Sequence, residues 1–216
     1  MSQPNRTQSK SNRRVTALAA AVSVATLIIL LATESQIGLT WDEPDYIVAA
    51  RSYAAWFDVL RRNPRLALEV ETIDRYWTIN HEHPPVNKIW NGAVWRVARG
   101  LSGRTAWPDL TLHRLGNMLL NSIAVGLLYL LVTDVCGVWA GMAASAALLA
   151  MPRVFFHLHL ASLDVAAASM IVLTLVLFWR TRRHSAAWID VLLGIVWGLA
   201  VGTKINAVFV FPTLVL

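Results

Sequence analysis

The chain has 216 residues, 56% hydrophobic and 15% charged, with ten Trp, a mean hydropathy of +0.50 and a formal net charge of +6. A soluble domain carries about 25% charged residues, so these values exclude a soluble globular protein and define a membrane protein. A nucleic-acid binder is excluded as well, because the basic residues stand beside apolar segments and in one long loop. The single Cys136 excludes an internal disulfide.

Residues 1–14 read as a cytoplasmic basic tail, with Arg6, Lys10, Arg13 and Arg14 as a positive-inside flank. Val15 to Ala32 carries no charge and is long enough to cross about 30 Å of hydrocarbon, so residues 15–33 are predicted as the first transmembrane helix. The competing reading is a signal peptide. Its apolar core would be unusually long, and "LLATESQ" is a poor small-residue cleavage site.

Residues 34–113 form a long loop, expected on the extracytoplasmic face, and nine of the thirteen acids lie between Asp42 and Asp109. In "PDYIVAARSYAAWFDVLRR", Tyr46, Ala50, Tyr53, Phe57 and Leu60 recur at spacings of three and four, with Arg51, Arg61 and Arg62 off that stripe. That spacing predicts an amphipathic helix lying in the membrane interface. Residues 87–101 repeat the pattern, with Trp90, Val94 and Val97 on one face and Arg96 and Arg99 on the other.

Residues 114–216 are expected to supply transmembrane helices two to five and the start of a sixth. Apolar stretches run over about 115–132, 138–151, 160–179 and 188–203, with a last from about 207. The small residues of 138–151 suit close packing between helices. An apolar run reaches the final residue, so the chain is expected to be the amino-terminal part of something longer. Alternating the spans puts 133–137 and 180–184 inside, where Arg180, Arg182 and Arg183 obey the positive-inside preference. Asp42, "NHEHPPVNK", Asp164 and Lys204 then converge on the outer face.

Four stretches bear chemistry. In "TWDEPDY", Thr40 and Glu43 have capping-box spacing, which leaves Asp42 in the first helical turn as a candidate general base near a substrate hydroxyl. In "NHEHPPVNK", His81, Glu82 and His83 are candidate metal ligands, or simply a solvated loop. Pro84 and Pro85 stiffen the chain before Lys88, a candidate phosphate ligand at a helix start. In "HLHLASLDVAAAS", Asp164 is an acid inside an apolar run, a functional signal by default, with a plain helix-terminus charge as the rival. His157 and His159 precede it as further metal candidates. In "GLAVGTK", Lys204 either snorkels or neutralises a lipid phosphate.

Together these stretches resemble the membrane glycosyltransferases of the GT-C fold, in the branch holding protein O-mannosyltransferases and the lipid A aminoarabinose transferase. "WDEPDY" matches the family's acidic motif after the first span, with Asp42 and Glu43 on its Asp-Glu pair. "HPPVNK" resembles its His-Pro-Pro stretch with a following basic residue, although Val86 stands where Leu is common. "ASLDVAAAS" fits its second acid, and "GLAVGTK" its Gly-Thr-Lys element. The resemblance implies an all-α multi-span bundle in the plasma or inner membrane, or in the endoplasmic reticulum with a lumenal site. It implies inverting transfer of a sugar from a polyprenyl-phosphate donor, with Asp42 as base, Glu43 and Asp164 orienting the site or binding a divalent cation (Mg, Mn or Zn), and Lys88 or Lys204 on the donor phosphate. A secondary transporter using its intramembrane Asp and Lys is the alternative, as is an inactive fragment of a transferase. A zinc peptidase is disfavoured, because "HEHPP" lacks the H-E-x-x-H spacing.

Overall fold

The computed structural model describes residues 6–102, 108–182 and 186–215. Arg183 and the first five residues of the expected basic tail lie outside the described residues. Among those described the protein is all helical, with no strand. Helix α1 (Arg6–Thr33) runs unbroken because its apolar stretch contains neither Pro nor Gly, and a short 3-10 turn, Glu34–Gln36, ends it. Four helices follow before the next long one: α2 (Glu43–Arg62), α3 (Pro64–Ala67), α4 (Val70–Trp77) and α5 (Val86–Ser102). Helix α6 (Asp109–Cys136) stops at Gly137, whose φ of 91° suits only glycine well. Helices α7 (Val138–Ala150) and α8 (Pro152–His159) meet at a bend of 78°, where Pro152 opens a new helix. Helices α9 (Leu163–Thr181) and α10 (Ala187–Thr203), a 3-10 turn over Ile205–Val210, and α11 (Phe211–Val215) complete the chain.

Three helical segments are long and apolar enough to cross a membrane: Arg13–Gln36, Asp109–Cys136 and Leu163–Thr181, with the bent α7–α8 pair as a fourth. Residues 152–159, expected as a loop, are therefore a helix, and α6 starts about six residues before the apolar stretch that announces it. At the centre of the bundle, α6 touches α1, α5, α7, α8 and α9. Leu30 packs with Met118 and Leu158, and Ala19 with Tyr129 and Leu130, so α1 and α6 run antiparallel. One end of the bundle carries Arg13, Arg14, Arg182 and Arg180, the last paired to Asp134 at 2.9 Å. The opposite end carries α2 to α5.

The stripe of α2 is divided, with Phe57 exposed and its middle part facing protein. Ala50 and Tyr53 are buried, Tyr53 stacks on Trp77 of α4 at 4.4 Å, and Gly92 of α5 approaches the Ala50 carbonyl so closely that no side chain would fit. The loop folds on itself and thereby consumes part of the surface that periodicity alone would assign to lipid. Helix α5 is arranged the other way round. Its polar face, Asn87, Lys88 and Asn91, is buried, while Trp90, Val97 and Leu101 are exposed, the pattern of a helix between a polar interior and lipid.

Candidate active site

Asp42 stands at the N-cap position of α2 without a side-chain capping bond, Pro44 follows in the first turn, and the Asp42 side chain is exposed. Its neighbour Glu43 is fully buried, and each carboxylate oxygen accepts two hydrogen bonds. Oε1 accepts from Arg114 Nε (2.8 Å) and the Ala161 N–H (2.9 Å), and Oε2 from Arg114 Nη2 (2.6 Å) and the Thr40 N–H (3.1 Å). The Thr40 bond is half of the expected capping box. Burial alone would raise the Glu43 pKa, but the hydrogen bond and charge of Arg114 and the two backbone N–H groups hold it below the ordinary value.

Arg114 is fully buried and uses all five of its N–H donors. Besides Glu43 it serves Glu34 (3.1 Å), the Ile37 carbonyl (2.8 Å) and the Gly38 carbonyl (2.8 Å), and the Thr111 hydroxyl donates to Glu34 at 2.6 Å. The segment leading to Asp42 is thus laced to α6. Through the Ala161 N–H it is also laced to the turn before α9. Asn117 holds that turn from α6, donating to the Leu160 carbonyl (2.8 Å) and the Ser162 carbonyl (2.7 Å), while Asn121 donates to the Leu158 carbonyl (2.9 Å). Glu43 therefore joins the loop of Asp42 to the loop of Asp164. Its four lone-pair positions are all taken by these donors.

Asp164 is exposed in the first turn of α9 and ion-pairs with Lys204, at the extended break after α10. Tyr46, one turn beyond Asp42, lies among the acids. Burial raises its pKa first, and the charges of Asp42, Asp164, Glu82 and Asp45 raise it further. Its phenol therefore stays protonated at neutral pH and available as a donor. Sequence periodicity placed Tyr46 only in an apolar stripe; its position one turn from Asp42 was the available signal.

The remaining sequence candidates are dispersed or engaged. Lys88 is buried, and its Nζ donates to the Asn80 carbonyl (2.5 Å), Asn80 Oδ1 (3.1 Å) and the His83 carbonyl (2.9 Å), so it braces the His-Pro-Pro turn. Burial lowers its pKa to about 8, against the opposing charge of Glu82. His81 and Glu82 are exposed, whereas His83 packs edge-on against Tyr46 at 5.9 Å. His159 is buried elsewhere, with one nitrogen on the Thr33 hydroxyl (2.9 Å) and the other on the Phe155 carbonyl (2.8 Å). Among the described residues no three His, Cys, Asp or Glu side chains are arranged to hold a metal ion.

A cavity of about 550 Å³ opens between α6, α8 and α9, lined by Ala124, Leu128, Val165, Ala168 and Val172 together with Arg153, His157 and Asp164. A shallower hollow of about 510 Å³ flanks Asp42, formed by Leu39, Thr40, Trp41, Pro44 and Asp45.

The fold and the site define a class: a helical membrane protein whose exposed acids gather at one end of the bundle, beside an apolar cavity. The family model for dolichyl-phosphate-mannose-protein mannosyltransferase matches residues 93–216, more than half of the chain, and the chain belongs to that family. Membership implies membrane glycosyltransferase activity in general. The matched stretch contains Arg114, Asp164 and Lys204, while Asp42, Glu43 and Lys88 precede it. No curated protein and no solved structure matches the chain.

Proposed function

We propose that the protein transfers a sugar from a polyprenyl-phosphate donor to an acceptor hydroxyl at the extracytoplasmic face, with inversion and with Asp42 as general base. One observation carries the reading: Asp42 and Asp164 both surround Tyr46, and Asp164 also lines the apolar cavity between membrane-spanning helices. An acid able to take a proton thus stands near a groove able to hold a lipid. Arg13, Arg14, Arg180 and Arg182 at the opposite end of the bundle support an outward-facing site.

In this reading the acceptor hydroxyl gives its proton to Asp42 as its oxygen attacks the anomeric carbon. The bond from that carbon to the phosphate oxygen breaks on the opposite side, and its electron pair leaves with the lipid phosphate. A phosphate departs without protonation, so one carboxylate suffices where glycoside hydrolases commonly use two. Tyr46 donates a hydrogen bond at the reacting centre. Asp164, neutralised by Lys204, frames the opening.

The test is turnover of a panel of polyprenyl-phosphate sugars by the protein in lipid, with and without EDTA, followed as release of lipid phosphate. Asp42→Asn is expected to cost roughly 10²–10⁴-fold in rate with unchanged melting. Near-normal turnover by that variant would refute the base. No turnover with any donor, from a folded protein, would favour the transporter.

A further inference from the structure

We infer that Arg153 and His157, on α8, hold the phosphate of a polyprenyl monophosphate whose chain occupies the cleft between α6, α8 and α9. The inference rests on the transfer reading above and gives the donor its place within it. Two other cations near the site, Lys88 and Lys204, are already engaged. Lys88 is buried on three oxygen acceptors, and Lys204 is paired with Asp164. Arg153 has no ion-pair or hydrogen-bond partner among the described residues, is exposed, and lines the cleft. His157 lies one helical turn further along the same face of α8, also on the cleft, and its Nδ1 is buried without a hydrogen-bond partner. A guanidinium and an imidazole N–H one turn apart can bind two oxygens of one phosphate.

Beyond those residues the wall is almost wholly aliphatic. It descends along α9 from Asp164 through Val165 and Ala168 to Val172, and along α6 from Asn121 to Leu128. Eight residues of helix at about 1.5 Å each make the groove roughly 12 Å deep, room for the first few isoprene units of a chain that continues into lipid. A volume of about 550 Å³ lies in the range of ligand sites, roughly 300–1,000 Å³. Asp164 would repel the anion were it free, and Lys204 cancels that charge. One cationic pair on the wall of an otherwise apolar groove complements one anionic head on one long chain.

The experiment uses the protein in phosphatidylcholine nanodiscs with farnesyl monophosphate as probe, and farnesol, inorganic phosphate and phosphatidylglycerol as competitors. Farnesyl monophosphate is expected to bind, and Arg153→Gln to weaken it roughly tenfold or more, the worth of a hydrogen bond to a charged group. Arg153→Lys should recover part of that loss. Ala168→Trp, which fills the groove from an exposed position, should abolish binding without lowering the melting temperature. Binding by Arg153→Gln within about twofold of wild type overturns the inference, since an ion-assisted contact is worth more. Equal displacement by phosphatidylglycerol overturns the donor as occupant. Transfer measured in parallel separates the two readings: turnover with Arg153-independent binding refutes this site alone. Arg153-dependent binding without turnover refutes the transferase reading alone.

Discussion

Replacing Arg114 with Leu should release the loop that carries Asp42. The substitution removes five hydrogen bonds and leaves Glu43, fully buried, and Glu34, nearly so, without their cation. Breaking a buried pair by deleting one partner costs about 3–5 kcal/mol. At roughly 2–4 °C per kcal/mol for a chain of this size, melting should fall by roughly 6–20 °C, read by fluorescence in detergent or nanodiscs. Glu43→Gln should behave similarly. Each Glu43 oxygen faces two donors, so an amide NH₂ in either place confronts donors. The double variant Glu43→Leu/Arg114→Leu should cost less than the sum of its singles by roughly 1–3 kcal/mol, because the second change removes a charge the first had stranded. Strict additivity, or an Arg114→Leu melting shift below about 2 °C, would refute the clamp. Asp42→Asn, being exposed, should leave melting unchanged while slowing transfer by roughly 10²–10⁴-fold.

Other expectations concern Lys88, Gly92 and the Asp164–Lys204 pair. The folded pKa of Lys88, about 8, lies below its ordinary 10.5. The unfolded chain therefore binds the extra proton between those values, and stability should rise across that window by roughly 3 kcal/mol. Below pH 8 both states are protonated and the penalty is complete. A Lys88→Met variant whose stability rose equally over that range would refute the assignment. Gly92→Ala would press a methyl into the Ala50 carbonyl; because backbone cannot yield as a side chain can, a loss of about 1–3 kcal/mol is expected, measurable as melting. Lys204→Met should change stability by about 1 kcal/mol or less, as an exposed pair does, yet slow transfer by restoring a bare acid at the cleft. Unaltered transfer would refute its role.

Much of the architecture was legible along the chain. Uncharged runs long enough to cross a bilayer marked α1 and α6, and the polar break at Lys204 marked the end of α10, because local composition alone decides where helices enter lipid. The charges that gather around Tyr46 were also legible, since alternating spans bring alternate loops to one end. Periodicity failed where a surface had two possible partners. Ala50 and Tyr53 of the α2 stripe meet α4 and α5, where α5 offers a glycine at the contact, while Phe57 of the same stripe stays exposed. Glu43 and Asp42 are adjacent acids of the same type, and nothing local distinguishes them. Their roles separate only through Arg114, distant along the chain and brought beside Glu43 by the packing of α6 under the loop. Arg114 itself hid at the edge of an apolar run, just before the expected start of its span. Which acid is neutralised and which remains free is decided by contacts between distant segments, and only the tertiary structure supplies those.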